Sequence, residues 1–231
     1  MAPAELIACS SLVADLTGPL GFGSLIQGTD LKLQLSAGDT VDLALDPGAQ
    51  AAVGDRYMIQ RTEGPVRHPV TGQIVGVHIR HLGVVEVTQV QGRAVRGRVL
   101  ISCGAVVPGD RVARYVLVDF PFDKEAVPTS HRAEGVIVGN PDLLQTLGLL
   151  HIVFLDMGAS QAIAPGDVFA VYQEGGLVPV PLTGAPGLVA PIRLGEITVL
   201  RVTPRTATGI ISQNEKEIRV GFRVVLSRKV P

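Results

Sequence analysis

Tryptophan is absent from this 231-residue chain, and aromatic residues are only 4% of it. They are also scattered, so neither a base-stacking platform nor a sugar-stacking cleft is legible. Charge imbalance is missing too. The formal net charge is −1, which removes any global electrostatic reason to bind nucleic acid or anionic lipid. The basic residues are mostly arginines interspersed with Asp and Glu, the pattern of solvated strand faces. No run reaches the roughly 18 apolar residues of a membrane span, so no transmembrane segment is expected. Cysteine occurs twice, at Cys9 and Cys103, enough for one disulfide and no framework.

What is present is a repeat. Gly54-Asp55, Gly64, Val66, Pro69, Thr71-Gly72, Leu82-Gly83, Val87, Gly97, Gly109 and Arg111-Val112 each recur 112 residues later, as Gly166-Asp167, Gly176, Val178, Pro181, Thr183-Gly184, Leu194-Gly195, Val199, Gly209, Gly221 and Arg223-Val224. Upstream, Gly38, Leu45-Asp46 and Gly48-Ala49 match Gly148, Leu155-Asp156 and Gly158-Ala159 at a shift of 110, with Ala164-Pro165 as two extra residues. A constant shift that keeps glycines, prolines and apolar positions in step means two tandem modules of one fold. The apolar content of 46% supports a folded chain with two cores. The 27 glycines and 16 prolines stay below the roughly 25–30% that signals low complexity.

The predicted class is all-β: two small antiparallel β-barrel-like modules. Residues 1–20 read as a leader, with one short helix over Leu6 to Leu16 that Gly18-Pro19 would stop. Module one spans 21–115, a linker 116–133, and module two 134–231. Short apolar runs bounded by glycine mark the strands, and period-two alternation is plain in Leu31–Leu35 and Val85–Val90. Gly-Asp pairs at 38–39, 54–55, 109–110 and 166–167 sit just before predicted strands. Glycine accepts positive φ, and the Asp carboxylate takes a backbone N–H that the turn leaves unpaired. Gly54, Asp55, Gly109, Asp110, Gly166 and Asp167 are therefore assigned to structural turns, while Gly221-Phe222 breaks the pattern. Proline cannot donate to a sheet ladder, so two proline-rich inserts, 62–76 and 174–192, should project as hairpin tips or edges. Their residues Arg67, His68, Pro69, Pro179 and Pro181 are the candidate partner contacts.

Catalytic and metal chemistry is not apparent. His78 and His81 are three apart in a predicted strand and should face opposite ways. His68, His131 and His151 have no histidine at the matching position of the other module. Cys103 lacks a nucleophile's local context, and it aligns with Glu215, so the reading is two free thiols. Gly18-Pro19-Leu20-Gly21-Phe22-Gly23 lacks the lysine of a phosphate loop. No metal, cofactor or catalytic residue is expected.

The stretch Val53-Gly54-Asp55-Arg56-Tyr57, with Arg67-His68-Pro69-Val70-Thr71-Gly72, Leu82–Val87 and Val107-Pro108-Gly109-Asp110-Arg111, resembles the region following the LysM domain in bacterial LysM-containing envelope proteins. Leu155–Gly158, Ala164–Phe169 and Leu194–Val199 continue the likeness in the second module. The module is similar to the C-terminal domain of flagellar assembly protein T and to the type IV pilus secretin-associated protein. The resemblance implies an exported, non-enzymatic scaffold in the periplasm or cell envelope, with protein partners and self-assembly as its interactions. It supplies no catalytic residues. Peptidoglycan would be held only through a LysM segment, which this chain lacks. The start of the chain has neither the basic flank nor the long apolar core of a secretory signal. Either the protein is cytosolic or Met1 begins a piece of a longer exported, LysM-containing chain, and the resemblance favours the piece. Another structural or binding β-module, a nucleic-acid-binding barrel included, is the alternative, with an enzyme cleft between modules behind it.

Overall fold

A computed structural model of the chain describes residues 3–15, 21–28, 32, 34–179 and 186–231. The fold is all-β and divides into two compact units, Met1–Gly64 with Val77–Val118, and Pro65–Gly76 with Asp119–Pro231. The N-terminal segment forms helix α1 (Pro3–Cys9) and strand β1 (Leu12–Ala14). Then follow β2 (Gly23–Gly28), β3 (Thr40–Leu45), β4 (Arg56–Arg67), β5 (Ile74–Gln91), β6 (Ala94–Ser102) and β7 (Arg111–Arg114). These six close on themselves in the order β5-β4-β7-β2-β3-β6, with β6 pairing back to β5. Closure leaves the barrel without an open edge.

The second unit contains β8 (Val127–Pro128), β9 (Glu134–Gly139), β10 (Thr146–Leu147), β11 (Ile152–Leu155) and a single 3-10 turn, Ala159–Gln161. It continues with β12 (Val168–Gln173), β13 (Gly176–Pro179), β14 (Pro186–Val189), β15 (Ile192–Val202), β16 (Ala207–Asn214), β17 (Ile218–Arg219) and β18 (Arg223–Lys229). Its ring runs β15-β12-β18-β9-β11-β16 and closes where β12 meets β18. Placed beside the first ring, the two strand orders are the same. Residues 127–128, in the stretch expected to be a linker, pair with β18.

The duplication holds at the level of single hydrogen-bonded pairs. Ser24 faces Arg111 as Val136 faces Arg223, and Val87 faces Gly97 as Val199 faces Gly209. All thirteen buried residues of the first core, from Leu25 to Val112, have a buried core residue 112 positions later. The shift of 110 read upstream is therefore corrected to 112. Leu43, not Leu45, occupies the place of Leu155, because Leu43 pairs with Val95 as Leu155 pairs with Ala207. A slip of two residues preserves the alternation of inner and outer faces, so the sequence pattern could not expose it. The ladder does.

The N-terminal segment also departs from its expected form. The helix stops at Cys9, where both the Ser10 hydroxyl and the Ser10 N–H turn back to the Ile7 carbonyl, at 2.7 and 3.3 Å. Serine competes for helix carbonyls in this way. Residues 12–14 then pair antiparallel with β5, Leu12 opposite Ile79 and Ala14 opposite Val77. A seven-residue helix has little stability of its own, whereas the flank of β5 offers ladder partners. The expected stop at Gly18-Pro19 lies outside the described residues. So do residues 31 and 33 of the expected strand Leu31–Leu35, in which Leu35 forms a single bridge to Val106.

Candidate functional site

The Gly-Asp pairs build one recurring device. At Asp39, Asp55, Asp110 and Asp167 the carboxylate accepts the backbone N–H three residues earlier, at 2.8–2.9 Å. The preceding glycine has φ between +90° and +93° and donates its N–H to a strand across the barrel. That strand's N–H in turn reaches the Asp carbonyl, as between Gly54, Asp55 and Val87, at 2.8 and 2.9 Å. Two further turns have the same backbone without the carboxylate. Gly221-Phe222 brackets Ile137, and Leu150-His151 brackets Ile211. Leu150 takes φ +66° where Gly38 stands in the first unit, and the His151 Nδ1 accepts the Gly148 N–H at 3.2 Å. The pair was missed in the sequence because a histidine replaces the carboxylate. A constant shift of 112 would have found it.

These carboxylates have structural partners, and their electrostatics follow from them. Lys32 and the Ser36 N–H hold Asp39 below its ordinary pKa, and the Ala52 N–H and Tyr57 hydroxyl do the same for Asp55. Arg61 grips Asp110 with two bonds of 2.8 and 2.9 Å, and Lys229 reaches the fully buried Asp167 at 2.9 Å. Burial, together with the hydrogen bond to Asp55, pushes the Tyr57 phenol up to about 12. The folded chain thus keeps a proton that an unfolded tyrosine releases near pH 10. The stability this contributes is complete below about pH 10 and is lost as pH rises through about 12. An ultraviolet titration should show a late tyrosine ionisation step, and Tyr57→Phe should abolish it. A titration with no late step for Tyr57→Phe to remove would contradict the geometry.

The first proline-rich insert is the tip of the β4–β5 hairpin, and residues 65–76 group with the second unit. His68 is the reason its chemistry is not free. Its Nδ1 accepts the N–H groups of Val70 and Thr71, both at 3.2 Å, so its Nε2–H donates to Asp156 Oδ2 at 3.2 Å. The other Asp156 oxygen accepts the Val136 N–H at 2.7 Å. Gly139 and Gly221 have room beside them for Val66 and Pro69 of the tip. Arg67 and Pro69 remain exposed, as does Val70. In the second insert, β13 pairs with β14 so that Pro179 lies opposite Pro186, while Pro181 and the Thr183-Gly184 turn fall outside the described residues.

The cysteines are not free thiols. Cys9 and Cys103 form a disulfide. Its absence from the second unit has a simple cause, since Cys9 belongs to the N-terminal segment, which lies outside the duplicated core. That segment also covers the two strand histidines. His81 Nδ1 is 3.2 Å from the Ala8 carbonyl, His78 sits opposite Val13, and both rings are buried. Among the described residues no group of three His, Cys, Asp or Glu side chains is placed to hold a metal, and no helix is long and apolar enough to cross a membrane.

The first barrel carries open grooves. One, of about 410 Å³, is lined by Asp55, Arg56, Tyr57, Arg114, Tyr115 and Leu117. Another, of about 320 Å³, lies between residues 45–51 and Val90, Arg93 and Val95. In the first, the Tyr57 hydroxyl donates to Asp55 at 3.0 Å. No model of a known protein family matches the chain and no curated protein matches it.

Proposed function

We propose that this chain is a non-enzymatic assembly module of the cell envelope, supporting a secretin, pilus or flagellar-type machine. The observation that carries the reading is where the two units agree and where they diverge. Core positions and turn backbones repeat at a fixed shift, while solvent-facing residues are free to differ, as where exposed Leu149 and Leu150 stand in place of Ala37 and Gly38. A duplicated scaffold that varies at its surface works by contact. The Cys9–Cys103 bond supports an oxidising compartment outside the cytoplasm. Partner contact falls to the exposed residues Arg67, Pro69 and Val70 on the first insert and to Pro179 and Pro181 on the second, with His68 fixing the first in place. Peptidoglycan would be engaged through a LysM domain in the same parent protein.

The test is thiol trapping in intact cells that produce the protein, followed by fractionation. Cys9 and Cys103 should resist alkylation until a reductant is added, and the protein should sediment with the envelope in a complex larger than itself. Alkylated thiols in a cytosolic monomer would refute the reading.

A further inference from the structure

Two of the places where the units differ fit each other. The first is a barrel mouth. The second core includes Met157 and Ile163, which plug that end of its own barrel. Their counterparts in the first unit, Leu45 and Ala51, are only partly buried and line the groove of about 320 Å³. Replacing an isoleucine by an alanine leaves the mouth unfilled. Val90 and Val95 line it too, and the exposed Arg93 stands on its rim with no ion pair among the described residues.

The second place is a ridge on the second unit. Leu143 is 85% exposed and Leu150 67%, with Leu144 and Leu149 also exposed beside them. Both Leu143 and Leu150 hold left-handed backbone, φ 55° and 66°, which a branched side chain disfavours. The second of these turns does not need its leucines. In the first unit the same turn is built with Ala37 and Gly38 where Leu149 and Leu150 stand. Bulky apolar side chains kept exposed on disfavoured backbone mark an interaction site.

We infer that the Leu143–Leu150 ridge of one copy seats in the Leu45–Ala51 mouth groove of a second copy. The volumes agree, since an apolar cavity of about 150 Å³ already accepts a benzene ring and the groove is about twice that. The charges agree as well, with exposed Asp142 beside the ridge and Arg93 at the groove rim. Donor and acceptor are different surfaces, and in the proposed assembly each copy gives its ridge to one neighbour and receives a ridge from another, head to tail in a ring or filament. The inference rests on the reading of the chain as an assembly module and names its partner as the chain itself.

Sedimentation velocity of the full oxidised chain over a concentration series tests this. The wild type should grow beyond a dimer as concentration rises. Leu143→Gly with Leu150→Gly removes the ridge while suiting the left-handed backbone, and Ala51→Ile fills the groove as Ile163 does in the second unit. Each variant alone should associate at least roughly tenfold more weakly. Mixed in equal amounts, they should form a one-to-one dimer that grows no further, because one supplies the groove and the other the ridge. Circular dichroism melts establish that both fold. Should Ala51→Ile unfold, Arg93→Glu takes its place, with recovery expected when it is mixed with Asp142→Arg. A wild type that stays monomeric, unchanged association in the variants, or a mixture that stays monomeric each overturns the inference. A monomer that is still disulfide-bonded and envelope-associated would sink the head-to-tail contact alone and leave the assembly reading standing.

Discussion

Reducing the Cys9–Cys103 bond should lower the unfolding free energy of the first unit by about 3–4.5 kcal/mol and leave the second unit unchanged. The two cysteines are 94 residues apart in sequence, and the chain entropy released to an unfolded state by opening a loop of that size sets the upper figure. The native side adds to it. The bond ties α1 to the end of β6, and with α1 come the buried Ile7 and Ala8 and the ladder between β1 and β5. Without the tie, these few contacts must hold the segment against its own chain entropy. Denaturant unfolding with and without reductant, and of Cys9→Ala/Cys103→Ala, measures the effect. The second unit contains no cysteine and is the internal control. Equal midpoints in both redox states would show that the bond contributes nothing to the folded segment.

Asp167→Ala should destabilise the second unit by about 3 kcal/mol, whereas the equivalent Asp55→Ala should cost the first a small fraction of that. Both carboxylates perform the same turn bond, to Ala164 and Ala52 respectively. Burial separates them. Asp167 has no exposed side-chain surface and also accepts the Val230 N–H and the Lys229 ammonium. Removing it strands those donors where water does not reach them freely. Asp55 is only partly covered, and water can replace it. Urea midpoints decide the matter, with a shift of roughly 1 M or more expected for Asp167→Ala. Comparable shifts for the two variants would mean that the turn bond, and not the burial, sets the cost. Asp110, buried and clasped by Arg61, should behave like Asp167.

Much of the architecture was legible because it is local and repeated. A Gly-Asp pair specifies its turn by glycine's access to positive φ and a carboxylate within reach of a near N–H, so four turns could be placed by eye. Alternation marked Val85–Val90, where Val85 and Val87 are buried on either side of a half-covered Glu86. Leu150-His151 escaped because nothing in either residue type advertises a left-handed turn. The candidate contacts were harder. Arg67, His68 and Pro69 could be put on a projecting hairpin, but the bond from His68 to Asp156 joins residues 88 apart, and no spacing rule anticipates it.

The sequence by itself determined that there are two copies of one β-scaffold, because turns and core alternation are written in residue types at a fixed period. Tertiary structure decided the register of the upstream half, the ring closure of each barrel and the pairing of Cys9 with Cys103. It also decided which barrel mouth is filled and which leucines face solvent. These depend on what one strand finds beside it after the chain has closed on itself, and a slip of two residues or a change from Ile163 to Ala51 alters that without disturbing any local pattern.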